Sequence, residues 1–108
     1  MEKPFTTING VDYPLANSLR VAYKVQGCNN HKSYIEIFQD IGTMPLEKQL
    51  EILYVAFQVA NPEIGMTQLE FINYYLDNFK LQQVMNQLND VIHGILGDDD
   101  TEAGEQGN

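Results

Sequence analysis

The hydrophobic pattern is densest between residues 46 and 60, where apolar side chains form two neighbouring stripes at helical spacing. One stripe contains Leu46, Leu50, Leu53, Phe57 and Ala60, and the other contains Ile52, Val55, Ala56 and Val59. A helix that is apolar on several sides must be enclosed by other elements or by a partner. The pattern predicts a central helix that begins near Pro45 and stops before Pro62, because proline fits a first turn but cannot continue a helix.

Capping residues predict two helices before this segment. Asn17 or Ser18 can cap the first, which ends at Gly27. Its expected apolar face contains Leu19, Ala22 and Tyr23. Ser33 and Glu36 have the spacing of a capping box and begin the second. Its expected inward side chains are Tyr34, Ile37, Phe38 and Ile41.

Two helices are predicted after the central one. Thr67 and Glu70 have the spacing of a second capping box. The helix that they begin is expected to face inward through Leu69, Ile72, Leu76 and Phe79. The last helix has the most regular pattern and ends at Gly97. Its apolar seam contains Leu81, Val84, Leu88, Val91 and Ile95.

The segment 5–15, FTTINGVDYPL, predicts a β-hairpin. Asn9-Gly10 tolerates the positive φ angles of a two-residue type I′ turn. Such a turn pairs Ile8 with Val11 and Thr6 with Tyr13. The sequence therefore predicts a mainly α fold in which an N-terminal β-hairpin precedes about five helices in a compact bundle. Residues 1–97 form this single domain, and residues 98–108 form a disordered acidic tail without large apolar side chains.

Charge excludes some functions. Fifteen Asp and Glu against six Lys and Arg give a net charge of −9, and only Arg20 and Lys24 share a helix face. Nucleic-acid binding is not expected, because it requires a basic patch.

No apolar run approaches the roughly 18 residues that span a bilayer, and the first residues lack the pattern of a signal peptide. With a single cysteine, the chain is expected to be cytoplasmic and not to bind membranes.

The sequence contains no catalytic constellation. Cys28 and His31 share a loop but lack further ligands for a zinc site. His93 is expected at the surface. The acidic run that begins at Asp98 lacks the spacing of a calcium loop. We expect no enzyme activity, no metal and no cofactor.

Protein interaction is the remaining class of function. Because Tyr74 and Tyr75 are adjacent, a helix can bury only one of them against the same neighbour. Exposed aromatic side chains are good interface anchors. The candidate interaction residues are Tyr54, Val55, Val59, Tyr74, Tyr75, Leu81, Val84 and Leu88.

The order of these parts resembles the tail assembly chaperones of long-tailed, siphovirus-type phages and prophages of Gram-positive bacteria. The resemblance is carried by TINGVDYPL, NSLRVAYKVQG and LEILYVAFQVANPEIGMTQLEFINYYL, and it covers residues 6–96. It implies a non-catalytic protein of the host cytoplasm that is not part of the mature virion. Its implied partner is the tape measure protein, which it keeps soluble during tail assembly, with the tail tube protein and other copies of the chain as further partners.

The residues leave two other classes open. A small helical adaptor or regulatory domain would bind one defined protein through the seam at residues 81–95. A helix-turn-helix regulator is disfavoured by the charge and by the length of the candidate turns.

Removing residues 98–108 should leave folding unchanged and lower solubility, because the segment contributes charge but no large apolar side chain. Thermal melting and solubility of the shortened chain would measure both effects. A full-length chain with Asp98, Asp99 and Asp100 replaced by Asn separates the loss of charge from the loss of length. A large fall in melting temperature on truncation would contradict the prediction.

Overall fold

The order of elements follows the sequence prediction. The computed structural model describes residues 4–28, 33–39 and 41–97, without the side chains of Cys28 and Ile41. The two strands are β1 (Phe5–Ile8) and β2 (Val11–Pro14). The helices are α1 (Leu19–Cys28), α2 (Tyr34–Gln39), α3 (Leu46–Ala60), α4 (Gln68–Asn78) and α5 (Leu81–Leu96), with a short 3₁₀ helix at Ile41–Thr43.

The hairpin has the predicted register and turn. Thr6 pairs with Tyr13 and Ile8 pairs with Val11. Asn9 and Gly10 have φ angles of 53° and 81°, as a type I′ turn requires. Thr6 and Ile8 turn into the core, whereas Val11 at the tip is half exposed. The hairpin therefore lies on the helices, with β1 supplying buried side chains and β2 contacting α3.

Two backbone hydrogen bonds hold the chain where it leaves the hairpin. The Leu15 N–H donates to the Pro4 carbonyl at 3.0 Å, and the Ala16 N–H donates to the Ala56 carbonyl at 3.0 Å. The second bond reaches the middle of α3, where the Ala56 methyl group leaves room for the approaching chain. The buried Asn61 side chain adds a bond from Nδ2 to the Pro14 carbonyl at 3.0 Å.

Helix α3 is central, as its two apolar stripes predict. It contacts β2, α1, α4 and α5. Both stripes contribute fully buried side chains, among them Leu53 and Phe57 from one and Ile52 and Ala56 from the other. Of the residues in the two stripes, Leu46 in the first turn is the one that is exposed. Val59 and Ala60 in the last turn are partly buried. The rest of the domain therefore encloses this helix without a partner.

The predicted ends of α4 and α5 are also confirmed. Thr67 and Glu70 form the reciprocal capping box at the start of α4. Gly97 ends α5 in the left-handed conformation, with φ of 74°, which glycine adopts without steric cost. At the start of α2, Ser33 Oγ accepts from the Ile35 N–H at 3.3 Å.

The predicted inward face of α1 is wrong in part. Of Leu19, Ala22 and Tyr23, only Ala22 is buried, together with Val21 and Val25. Two β-branched side chains four residues apart present a compact ridge to the core, and the bulkier Leu19 and Tyr23 lie on the opposite side.

The predicted inward face of α4 is wrong in the same way. Leu69 and Leu76 are exposed, whereas Phe71 and Tyr75 are fully buried. Both sets have helical spacing, but a helix on a core buries one of them. The aromatic pair removes more apolar area from water, and the Tyr75 hydroxyl finds buried partners.

Two predictions lie outside the described residues. They are the disorder of residues 98–108 and the nature of the Cys28 and His31 pair. Among the helices that the structure describes, none is both long enough and apolar enough to cross a membrane.

Leu53→Asp or Phe57→Asp should unfold the domain, because each would bury an unpaired carboxylate in α3. We expect a loss of about 4 kcal/mol or more in the free energy of unfolding. Gln58→Asp, at an exposed position of the same helix, is the control and should melt near the parent. Parent-like circular-dichroism melting of either core variant would refute the central position of α3.

Two glycine replacements should have opposite effects. A Cβ at Gly94 would lie 2.6 Å from Asn17 Cβ, whereas a Cβ at Gly27 meets nothing within 4 Å. Gly94→Ala should therefore destabilise the contact between α5 and the start of α1. Gly27→Ala should stabilise α1 by about 0.5 kcal/mol through its higher helix propensity. Denaturant titration checks both values, and Asn17→Gly should rescue Gly94→Ala.

Candidate interaction surfaces

The structure places most of the predicted interaction residues inside the domain. The buried ones are Tyr54, Val55, Tyr75, Val84 and Leu88. Val59 and Tyr74 are half-buried. Leu81 is 65% exposed because it begins α5 at the edge of the bundle. The seam of α5 therefore faces this domain's own core and presents no continuous surface to a partner.

Tyr75 is the hub of a buried polar cluster that joins three elements. Its hydroxyl lies 2.7 Å from Thr6 Oγ1 in β1 and also bonds Gln87 Oε1 in α5. Gln87 Nε2 is 3.5 Å from Thr6 Oγ1, which closes the triangle. The Tyr75 O–H donates its hydrogen bond to Gln87 Oε1, because an amide oxygen can only accept. The Thr6 hydroxyl in turn donates to the Tyr75 oxygen. The cluster ties the hairpin to α4 and α5.

Aromatic rings stack on the ring that carries this hydroxyl. Tyr75 stacks on Phe71 and Phe79 with ring centroids 4.6 Å and 4.1 Å apart. Burial raises the pKa of Tyr75 to about 12, against smaller opposing effects of the bonds to Thr6 and Gln87. A neutral, immobilised phenol of this kind has a structural role in fixing the hairpin.

Tyr74, the neighbouring ring, lies outside this cluster and fixes the hairpin turn. Its hydroxyl accepts from the Asn9 N–H at 2.9 Å. In α3, the Tyr54 hydroxyl donates to the Met66 carbonyl at 2.8 Å, which holds the loop between α3 and α4 beside the turn. Three segments distant in sequence therefore meet at one place.

An open groove of about 420 Å³ lies where these segments meet. Its lining residues are Ile8, Asn9, Ile64, Gly65, Met66, Glu70 and Tyr74. Ile64 and Met66 supply flexible apolar walls, and Glu70 supplies a single carboxylate. The groove has the composition of a site for an apolar side chain with a cationic or hydrogen-bonding neighbour. The sequence predicted only Tyr74 of this set as an interaction residue, because the lining comes from three separate segments that only the fold brings together.

Further apolar side chains are exposed outside the groove, on several helices. Those more than half exposed are Phe5, Leu19, Tyr23, Ile35, Leu69, Leu76, Leu81 and Leu96. Helices α1, α4 and α5 each carry two of them, at opposite ends in α5, and β1 and α2 carry one each. Such a distribution gives many modest contact points and no single large patch.

The described residues include no group of three or more His, Cys, Asp or Glu side chains placed to hold a metal ion. His93 lies on the surface of α5, as expected. Comparison with protein-family models, with curated proteins and with solved structures finds no match for this chain.

Replacing Tyr75 by Phe should lower the free energy of unfolding by about 1–3 kcal/mol, because Thr6 and Gln87 would lose a buried partner. Tyr23→Phe, at a position 77% exposed, is the control and should leave stability unchanged. Denaturant titration near neutral pH measures the difference. A loss no greater than that of the control would show that the cluster contributes nothing to stability.

The same two variants should differ in alkaline unfolding. The folded state favours the neutral phenol, since the pKa of Tyr75 is raised from 10.0 to about 12. This stabilisation is complete below about pH 10 and is lost as the pH rises through about 12. The parent and Tyr23→Phe should therefore lose stability in this window more steeply than Tyr75→Phe. Equal pH profiles would contradict the buried position of this hydroxyl.

Proposed function

We propose that this protein is a non-catalytic tail assembly chaperone that binds the tape measure protein and keeps it soluble during phage tail assembly. The observation that carries the proposal is the set of large apolar side chains left exposed on an acidic helical domain. The sequence resemblance gives the proposal its particular client. In this role the protein acts in the host cytoplasm and is absent from the finished virion.

Dispersed contact points suit a long client better than one deep pocket does. A tape measure protein is long and helical, so it offers repeated apolar stripes rather than a single epitope. The groove beside Tyr74 is large enough for one or two side chains of such a stripe. Each contact is then weak, and many copies along one chain give a stable complex through multivalency.

The acidic charge supports the second part of the role. A net charge of −9 on 108 residues gives a coated client a strongly negative surface. Mutual repulsion between coated complexes opposes aggregation. The client sequence would be bound by apolar contact and protected by charge.

A small adaptor that binds one defined protein is the alternative function. The groove favours it, since one apolar groove with a single carboxylate fits a single short segment. The two functions differ in stoichiometry. An adaptor forms a one-to-one complex, and a chaperone binds in several copies.

Co-expression with the product of the longest neighbouring reading frame, followed by size exclusion with light scattering, tests the proposal. We expect several copies on one long partner, which stays in solution. Ile64→Glu should reduce the number of bound copies, because it places a charge in the groove. Gln58→Glu, at an exposed polar position of α3, adds the same charge outside the groove and is the matched control. A partner that precipitates while this protein elutes alone would refute the chaperone function, and a one-to-one complex would establish the adaptor.

A further inference from the structure

One side of α1 combines exposed apolar side chains with positive charge. Leu19 and Tyr23 are 67% and 77% exposed. Arg20 and Lys24 follow them directly in the sequence and are exposed as well. The spacing of four residues pairs Leu19 with Tyr23 on the side of the helix opposite the buried Val21. It also pairs Arg20 with Lys24, beside them at the border of the buried side. Among the described residues, neither cation has an ion-pair partner. We call this surface the basic α1 face.

Helix α4 has a surface of the opposite charge. Leu69 and Leu76 are 69% and 54% exposed, and they lie two turns apart. Glu70 and Asp77 follow them directly and are exposed. Helix α4 buries Phe71 on the side that meets α3, so these leucines are turned toward solvent. We call this surface the acidic α4 face.

We propose that the basic α1 face of one copy of this chain binds the acidic α4 face of another. Leu19 and Tyr23 would pack on Leu69 and Leu76 while the cations meet the carboxylates at the rim. A second copy is the occupant that the charges favour, because each chain carries both halves of a complementary pair. Contacts between like faces are disfavoured, since two α1 faces would oppose cations and two α4 faces would oppose carboxylates.

The contact would join copies head to tail. Helices α1 and α4 both pack on α3, and the two faces lie on different helices of the same copy. An interface between unlike patches is heterologous, so each added copy leaves one free face of each kind at the ends of the array. Contacts repeated in this way build a ring or an open helical array, whereas a twofold dimer would require both contacts to form between the same two copies.

Net repulsion keeps this contact weak. With a net charge of −9, free copies repel each other, and the local attraction has to overcome that repulsion. Association therefore rises when copies are held close together, as on a shared partner. The inference does not depend on the proposed function, because its test contains only this protein.

Charge reversal of each face tests the contact. Variant X carries Arg20→Glu and Lys24→Glu, and variant Y carries Asn73→Lys and Asp77→Lys on the exposed side of α4. Glu70 is left unchanged because it caps α4 through Thr67. Sedimentation velocity over a concentration series into the high micromolar range, at low salt, measures self-association. Circular-dichroism melting confirms that each variant is folded.

We expect the parent to self-associate, and X and Y each to associate about tenfold or more weakly. Mixing X with Y should restore association, because the negative α1 face of X then meets the positive α4 face of Y. A chain with all four substitutions should also associate with itself. This pattern of rescue is specific to a contact between unlike faces.

A matched control separates the contact from the effect of net charge. Gln39→Glu, Gln58→Glu, Gln82→Glu and Asn89→Asp together change the formal net charge as much as X does, at exposed positions on α2, α3 and α5 outside both faces. This control should associate more strongly than X. A parent that is monomeric at every concentration overturns the proposal, as does a mixture of X and Y that remains monomeric. The same holds if X and the control associate equally.

Discussion

The fold depends on the enclosure of α3. Leu53 and Val55 are both buried, although a separation of two residues turns them to nearly opposite sides of the helix, so neighbouring elements must cover it from several directions. Helices α1, α4 and α5 and strand β2 do so. The same helix also holds the hairpin. The backbone carbonyl of Ala56 accepts the Ala16 N–H at 3.0 Å, which fixes the chain to α3 where it leaves the hairpin. An unpaired two-stranded hairpin is only marginally stable in water, so this attachment gives β1 and β2 their fixed position.

The second attachment of the hairpin gives the domain its groove. The cluster of Thr6, Tyr75 and Gln87 fixes the strand end of the hairpin, and the bond from Asn9 to Tyr74 fixes its turn. The adjacent tyrosines thus have different roles. Tyr75 is buried and stabilises the fold, whereas Tyr74 lines the groove. Because both are anchored on α4, the groove between the turn and the 64–66 loop is preformed. A preformed site loses little entropy when it binds a client side chain.

The surface combines two properties that oppose each other in solution. Exposed leucines and aromatic rings favour association, and the excess of carboxylates opposes it. In the proposed roles, this balance would keep contacts between free copies weak and would let copies gather on a long apolar partner. Both the proposed chaperone role and the proposed contact between α1 and α4 follow from this balance, one toward a client and the other toward a neighbouring copy.

The sequence by itself determined the elements, because caps, turns and periodicity are local. Asn9-Gly10, the capping box of Thr67 and Glu70 and the stop at Gly97 each act within a few residues. The two stripes of α3 predicted a helix that has to be covered on several sides, by the domain or by a partner. The sequence did not determine which side of α1 and α4 meets the core, since a periodic stripe such as Leu69 and Leu76 records spacing and not what lies opposite. Only the tertiary structure decided that Phe71 and Tyr75 face inward, where ring stacking and the bonds to Thr6 and Gln87 outweigh two leucines. It alone brought the turn, the 64–66 loop and α4 together into a groove, because that contact joins residues that are distant in the chain.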